Sequence, residues 1–70
     1  MKITFDKEAD AMYIYIKEKK VFRSEDITND TIIDYDKDGN VIGIELLSAS
    51  KRIPIEKLSD VKITSLTKWF

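Results

Sequence analysis

The chain has 70 residues and a mass of 8.1 kDa, which is the size of one small domain. It contains neither cysteine nor histidine, so a disulfide framework, a thiolate nucleophile, a Cys-based zinc site and the usual general base near neutral pH are excluded. Its 12 basic and 13 acidic residues give a net charge of -1, without the positive excess that non-specific nucleic-acid binding requires.

The N-terminal segment becomes acidic at Asp6, and no apolar run approaches the ~20 residues of a membrane-spanning helix. We therefore expect no signal peptide and no membrane segment. Together with the absence of cysteine, this predicts a cytoplasmic protein.

The hydrophobic core can only just be sufficient. Area scaling predicts an apolar burial contribution of about 108 kcal/mol, against an ordering cost of about 105 kcal/mol for the chain. Stability this marginal favours a partner, a second copy or unusually regular local structure.

Two strands are predicted near the N-terminus. Lys2–Phe5 alternates and indicates a short first strand, and the polar segment Asp6–Asp10 suits a hairpin loop. The segment Ala11–Lys17 is dense in β-branched and aromatic residues, which predicts a central strand.

A charged turn at Glu18–Lys20 leads into a weaker strand, Val21–Ile27, whose polar centre is typical of a sheet edge. After a turn at Asn29-Asp30, two alternating runs flank Asp38-Gly39, a strong hairpin signal. A two-residue turn there pairs Asp36 with Val41, Tyr35 with Ile42, Asp34 with Gly43 and Ile33 with Ile44. This register places Ile33, Tyr35, Ile42, Ile44 and Leu46 on one face, and Asp34, Asp36, Gly43 and Glu45 on the other.

The C-terminal part leaves the sheet at Ser48–Arg52, and Pro54 suits the first turn of a short helix over Pro54–Leu58. The tail alternates from Val61 to Thr64 and could add a sixth strand. The sequence thus predicts an α+β, mainly β fold: a single antiparallel sheet of five to six strands built from hairpins, with one short helix, forming one domain over residues 1–70.

Two motifs, Asp6–Ile14 and Asp34–Glu45, together resemble the YuzE-like family of small bacterial and archaeal domains of unknown function. The resemblance covers about residues 1–52, with Phe5 in place of the usual Tyr and Met12 in place of Leu, and leaves 53–70 as a C-terminal extension. It implies a small antiparallel sheet with a short helical element and no established activity. Some members appear beside small toxin-like proteins, which implies an antitoxin-type role.

One motif matches a calcium-binding EF-hand loop. Asp34, Asp36, Asp38 and Glu45 occupy ligand positions 1, 3, 5 and 12, with Gly39 at position 6. The flanking segments are strands rather than helices, and the hairpin turn already accounts for Asp36-x-Asp38-Gly39. We therefore predict a solvated turn and no metal or other cofactor, and keep a divalent-metal or small-ligand site at Asp34, Asp36 and Glu45 as the alternative function.

Two further constellations are weaker. Carboxylate catalysis by Asp6, Glu8, Asp10 or the Asp34/Glu45 pair requires a burial that a small sheet hardly offers, so we expect no enzyme. A basic and aromatic patch is a second alternative, as a single-stranded nucleic-acid binder that neighbouring acidic residues dilute. Its members are Lys17, Lys19, Lys20 and Arg23, with Tyr13 and Tyr15.

Four aromatic side chains, Tyr13, Tyr15, Trp69 and Phe70, are candidates for a partner-binding surface, because aromatic residues are enriched in interface cores. An intramolecular cap formed by these side chains over the sheet is slightly favoured over an interface. An unpaired sheet edge is a second route to association. We therefore predict a non-enzymatic protein-interaction module that self-associates or binds a small protein.

Overall fold

The computed structural model describes residues 1–64, and these residues form one five-stranded antiparallel sheet. Its spatial order is β1-β2-β5-β4-β3, so β5 lies at the centre and β1 and β3 are the edges. The strands are β1 (Lys2–Asp6), β2 (Ala11–Tyr15), β3 (Arg23–Thr28), β4 (Thr31–Tyr35) and β5 (Val41–Leu47). The predicted α+β, mainly β fold with five strands is confirmed.

The register of the β4–β5 hairpin is confirmed in part. Asp34 faces Gly43 and Ile33 faces Ile44, as predicted, whereas Tyr35 faces Val41 because the register shifts by one residue beside Ile42. The predicted pairs Tyr35–Ile42 and Asp36–Val41 are therefore wrong.

The turn chemistry explains this shift. The Asp36 backbone N–H donates to the Asn40 carbonyl at 2.9 Å, so the loop has three residues rather than two. Gly39 alone among residues 36–40 has a positive φ, of 84°. Such a loop needs only one left-handed residue, and the bulge beside it absorbs the extra residue.

Cross-strand pairs build one apolar face. Met12 faces Leu46, Ile14 faces Ile44, and Ile44 also faces Ile33. Among the described residues, the fully buried apolar side chains are Met12, Ile42 and Ala49. The interior is therefore thin, in agreement with the marginal core expected from chain length.

Two short helical segments follow the sheet. Helix α1 (Ala49–Arg52) was not predicted; a 3₁₀ helix over Ile55–Asp60 lies close to the helix predicted at Pro54–Leu58. The carboxylate of Asp10, in the β1–β2 loop, accepts hydrogen bonds from the Ser50 backbone N–H at 3.0 Å and the Ser50 hydroxyl at 2.8 Å. Because this contact spans 40 residues, local sequence could not reveal what holds α1.

The C-terminal predictions have two outcomes. Residues 61–64 form no strand, so the sixth strand is not present there. The rest of the tail, including Trp69 and Phe70, lies outside the described residues. None of the helices within residues 1–64 is long and apolar enough to cross a membrane.

Candidate functional site

A tyrosine crosses the centre of the sheet on the face opposite the apolar one. Tyr13 lies on β2, and Gly43 on β5 faces both Tyr15 and Asp34. A Cβ atom added to Gly43 would lie 2.6 Å from Tyr13 Cζ, closer than two carbon atoms can approach. The missing side chain at position 43 therefore lets Tyr13 pass over β5 and reach β4.

Asp34 on β4 is the centre of this arrangement. The Tyr13 hydroxyl donates to Oδ2 of Asp34, and the Ser24 hydroxyl on β3 donates to Oδ1 at 2.5 Å. Asp34 is only 8% exposed, and both of its oxygens have a partner. We call Tyr13, Asp34 and Ser24 the sheet-centre network; it ties β2, β4 and β3 together across β5.

The electrostatics of the network hold the phenol protonated. Burial raises the pKa of Tyr13 well above its ordinary value, and the hydrogen bond to Asp34 and the negative charges of Asp34 and Glu45 raise it further. At neutral pH, Tyr13 is therefore a fixed hydrogen-bond donor. A phenol in this state is suited to positioning Asp34 and unsuited to acting as a base.

Asp36, two residues farther along, has a different environment. Its Oδ1 accepts the backbone N–H groups of Asp38 and Asn40, each at 2.9 Å, and its Oδ2 accepts from Lys19 Nζ at 3.2 Å. These bonds, led by the one from the Asn40 backbone, hold the pKa of Asp36 well below its usual range. Asp36 thus fastens the β4–β5 turn.

The EF-hand-like residues do not converge on a common point. The carboxylate of Asp34 is held by hydroxyl donors and that of Asp36 by turn amides. Within residues 1–64 there is no group of three or more acidic side chains arranged to hold a metal ion. The geometry therefore gives no support to the alternative site at Asp34, Asp36 and Glu45.

All of the predicted basic and aromatic residues except Arg23 line a cleft of about 430 Å³, but several of them are already engaged. Lys2 Nζ lies 4.5 Å from the centroid of the Tyr15 ring, and the Tyr13 ring lies 4.4 Å from the same ring. Lys19 pairs with Asp36. With Lys2 and Tyr13 both against Tyr15, the ring is a poor platform for stacking a nucleic-acid base.

Of the four predicted partner-binding aromatics, two lie within the residues that the structure describes. Tyr13 and Tyr15 come together on the sheet face, half-buried, with Tyr13 hydrogen-bonded to Asp34. Sequence reasoning missed the sheet-centre network. The signal that could have found it is Gly43 itself, because a glycine inside a strand often marks a close approach.

A second candidate surface lies along β3, the edge strand opposite β1. The sequence predicted that this strand is an edge, but not that it forms an exposed apolar surface. All six residues of β3 are exposed, and the two residues before it, Val21 and Phe22, are 44% and 70% exposed. Ile27, within β3, is 51% exposed. We call residues 21–28 the β3 edge.

The fold and these contacts define a small single-sheet domain whose buried carboxylates hold its own strands and turns. Residues 2–50 match the model of a family described as a protein of unknown function (DUF2283), and the chain belongs to that family. An uncharacterized protein of Methanocaldococcus jannaschii is 37% identical over 62 residues, which are 89% of this chain and 53% of that protein. The chain thus spans about half the length of this curated relative. No solved structure matches the chain described here.

Proposed function

We propose that this domain is a protein-interaction module that pairs with another polypeptide along the β3 edge. The observation that carries the proposal is an edge strand exposed along its whole length, with exposed Val21 and Phe22 leading into it and Ile27 within it. An edge strand presents backbone N–H and C=O groups on its open side, and a partner strand can use them.

The charges on this edge support a selective contact. Three of the six residues of β3 are charged, namely Arg23, Glu25 and Asp26. Charges on an edge strand protect it against indiscriminate pairing. They also admit a partner whose charges are complementary, which is how interfaces gain specificity. Pairing also shields apolar side chains that the domain itself leaves in water.

The sheet-centre network prepares this edge for binding. Ser24 on β3 is hydrogen-bonded to the buried Asp34, which Tyr13 holds in place from β2. Arg23 also lies over the Tyr35 ring, 4.1 Å from its centroid. An edge fixed in this way loses less conformational freedom when a partner adds to it.

Three narrower predictions from the sequence are compatible with this proposal: the YuzE-like assignment, the antitoxin-type role and the cytoplasmic location. A YuzE-like assignment and an antitoxin-type role would make the partner a small toxin-like protein. A cytoplasmic location agrees with such a role.

Site-specific photo-crosslinking in cells tests the proposal. A benzophenone amino acid replaces Phe22 in one variant and Lys7, an exposed residue of the β1–β2 loop, in the control. We expect a discrete crosslinked product from position 22 and none from position 7.

Equal crosslinking from both positions, or no product from position 22, would contradict the proposal. Circular dichroism of each variant shows whether the sheet has formed. The mass of the product from position 22 identifies the partner as a second copy of the chain or as a different protein.

A further inference from the structure

We infer that the partner is a second copy of this chain, and that two β3 edges pair antiparallel around a two-fold axis passing midway between the two Ser24 residues. This inference rests on the proposed function and names its partner. The product would be a continuous ten-stranded sheet, with β3 of each copy at its centre.

Symmetry restricts the register of such a pair. A two-fold axis perpendicular to the sheet keeps the two polar faces on one side, so residues at equal distances from the axis face each other. The axis must then pass midway between one residue and its own copy, and we call it an axis through that residue. Only a few positions along β3 are available.

Charge excludes most of these positions. An axis through Arg23 would place two arginines opposite each other, and axes through Glu25 or Asp26 would oppose two carboxylates. Like charges directly across two strands are destabilising. An axis through Ile27 would run the contact into the β3–β4 turn and leave Val21 and Phe22 uncovered.

An axis through Ser24 has no such conflict. Arg23 then faces Glu25 of the second copy, twice by symmetry, and Phe22, just before β3, comes opposite Asp26. Val21 comes near the irregular end of β3 that carries Ile27. Within one chain, Arg23 Nη1 already lies 2.8 Å from Glu25 Oε2. The dimer therefore assembles four alternating charges over the axis, with the exposed Val21 of each copy near Ile27 of the other.

The size of the contact sets its strength. About seven residues of each edge take part, and their combined interface is below the roughly 1,000 Å² typical of stable complexes. We therefore expect a reversible dimer whose population rises with protein concentration, at micromolar or weaker affinity.

Charge reversal tests the partner and the register together. Light scattering over a range of concentrations measures the dimer constant of the full chain and three variants. Arg23→Glu opposes acidic groups and should weaken the dimer at least tenfold. Arg23→Glu combined with Glu25→Arg should restore it, while Lys7→Glu, the same change in charge far from the edge, should leave it within twofold. Thermal unfolding of each variant monitors stability.

A cysteine crosslink tests the axis directly, because the chain has no cysteine of its own. In the proposed pair, the two Ser24 Cα atoms lie about 4.5–5.5 Å apart, a spacing that a disulfide spans. The two Thr28 residues lie eight residues apart along the edge, or roughly 26 Å. Mild oxidation should therefore give a covalent dimer with Ser24→Cys and not with Thr28→Cys.

Three results would overturn the inference: a monomer at all concentrations, a double reversal as weak as the single one, or equal oxidation of the two cysteine variants. The proposed function fails separately. A position-22 crosslink to a different protein would keep the interaction module and remove the self-pairing.

Discussion

Asp34 and Asp36 lie two residues apart, yet they hold different parts of the molecule together. Asp34, at the centre of the sheet, is held by Tyr13 and Ser24, residues 21 and 10 positions away in sequence. Asp36, at the hairpin tip, is held mainly by the backbone of Asp38 and Asn40, within four residues. The sheet centre thus depends on tertiary contacts and the tip on local ones.

This difference has a thermodynamic consequence. A buried carboxylate that loses a distant donor keeps its desolvation cost without compensation. The Asp36 carboxylate is buried as well, at 4% exposed, but it accepts from four donors, so the loss of one leaves it largely compensated. Substitutions at the sheet centre should therefore lower the free energy of unfolding more than substitutions at the tip.

The largest expected effect is that of Gly43→Ala. The added Cβ forces the Tyr13 ring away from β5, so the phenol no longer reaches Asp34. We expect the free energy of unfolding to fall by about 3 kcal/mol, from overpacking and the lost hydrogen bond. Urea unfolding measures this free energy. A loss under about 0.5 kcal/mol would mean that the close approach of Tyr13 to Gly43 does not contribute to stability.

Tyr13→Phe removes the hydroxyl and keeps the ring. Asp34 then retains only its Ser24 donor, and we expect a loss of about 2 kcal/mol. In the double variant with Gly43→Ala, the two losses should not add, because both remove the same hydrogen bond. Full additivity in urea unfolding would show that Gly43 acts independently of Tyr13.

The pH dependence of Tyr13 gives a second readout. Because the pKa of Tyr13 is raised in the folded state, its contribution is fully present below the unfolded value of 10.0 and is lost as pH rises above it. The parent protein should therefore lose stability above pH 10 more steeply than Tyr13→Phe does. Parallel alkaline limbs for the two proteins would contradict the raised pKa.

Ser24→Ala has a smaller expected effect. Asp34 keeps its Tyr13 donor, and the vacated oxygen lies toward the exposed β3, where water can reach it. We expect a loss of about 1 kcal/mol in the free energy of unfolding. Thr4→Ala, which removes an exposed hydroxyl from the other edge strand, β1, is the matched control; an equal loss there would mean that the bond to Asp34 adds nothing.

These contacts also mark how far the sequence could predict the structure. Alternation and turn residues predicted the strands and the edge position of β3, because both signals are local. The span from Tyr13 to Asp34 depends on which strands become neighbours around Gly43, and α1 depends on Asp10, 40 residues from Ser50. The Asp-Gly pair predicted a hairpin but the wrong turn, because the Asp36 carboxylate stabilises a three-residue loop.

Asp36→Asn should have the smallest effect at neutral pH, because its amide oxygen can still accept the N–H groups of Asp38 and Asn40. Its effect on stability should appear at acidic pH. The pKa of Asp36 is lowered in the folded state, so the contribution of its charge is present above the unfolded value of 3.8 and is lost as pH falls below it. Thermal unfolding from pH 7 to pH 2 should show a shallower acid decline in Asp36→Asn than in the parent.

Asp38→Asn is the control, because Asp38 contributes its backbone N–H to this turn. If both variants kept the parental acid decline, the Asp36 charge would not be what fastens the tip.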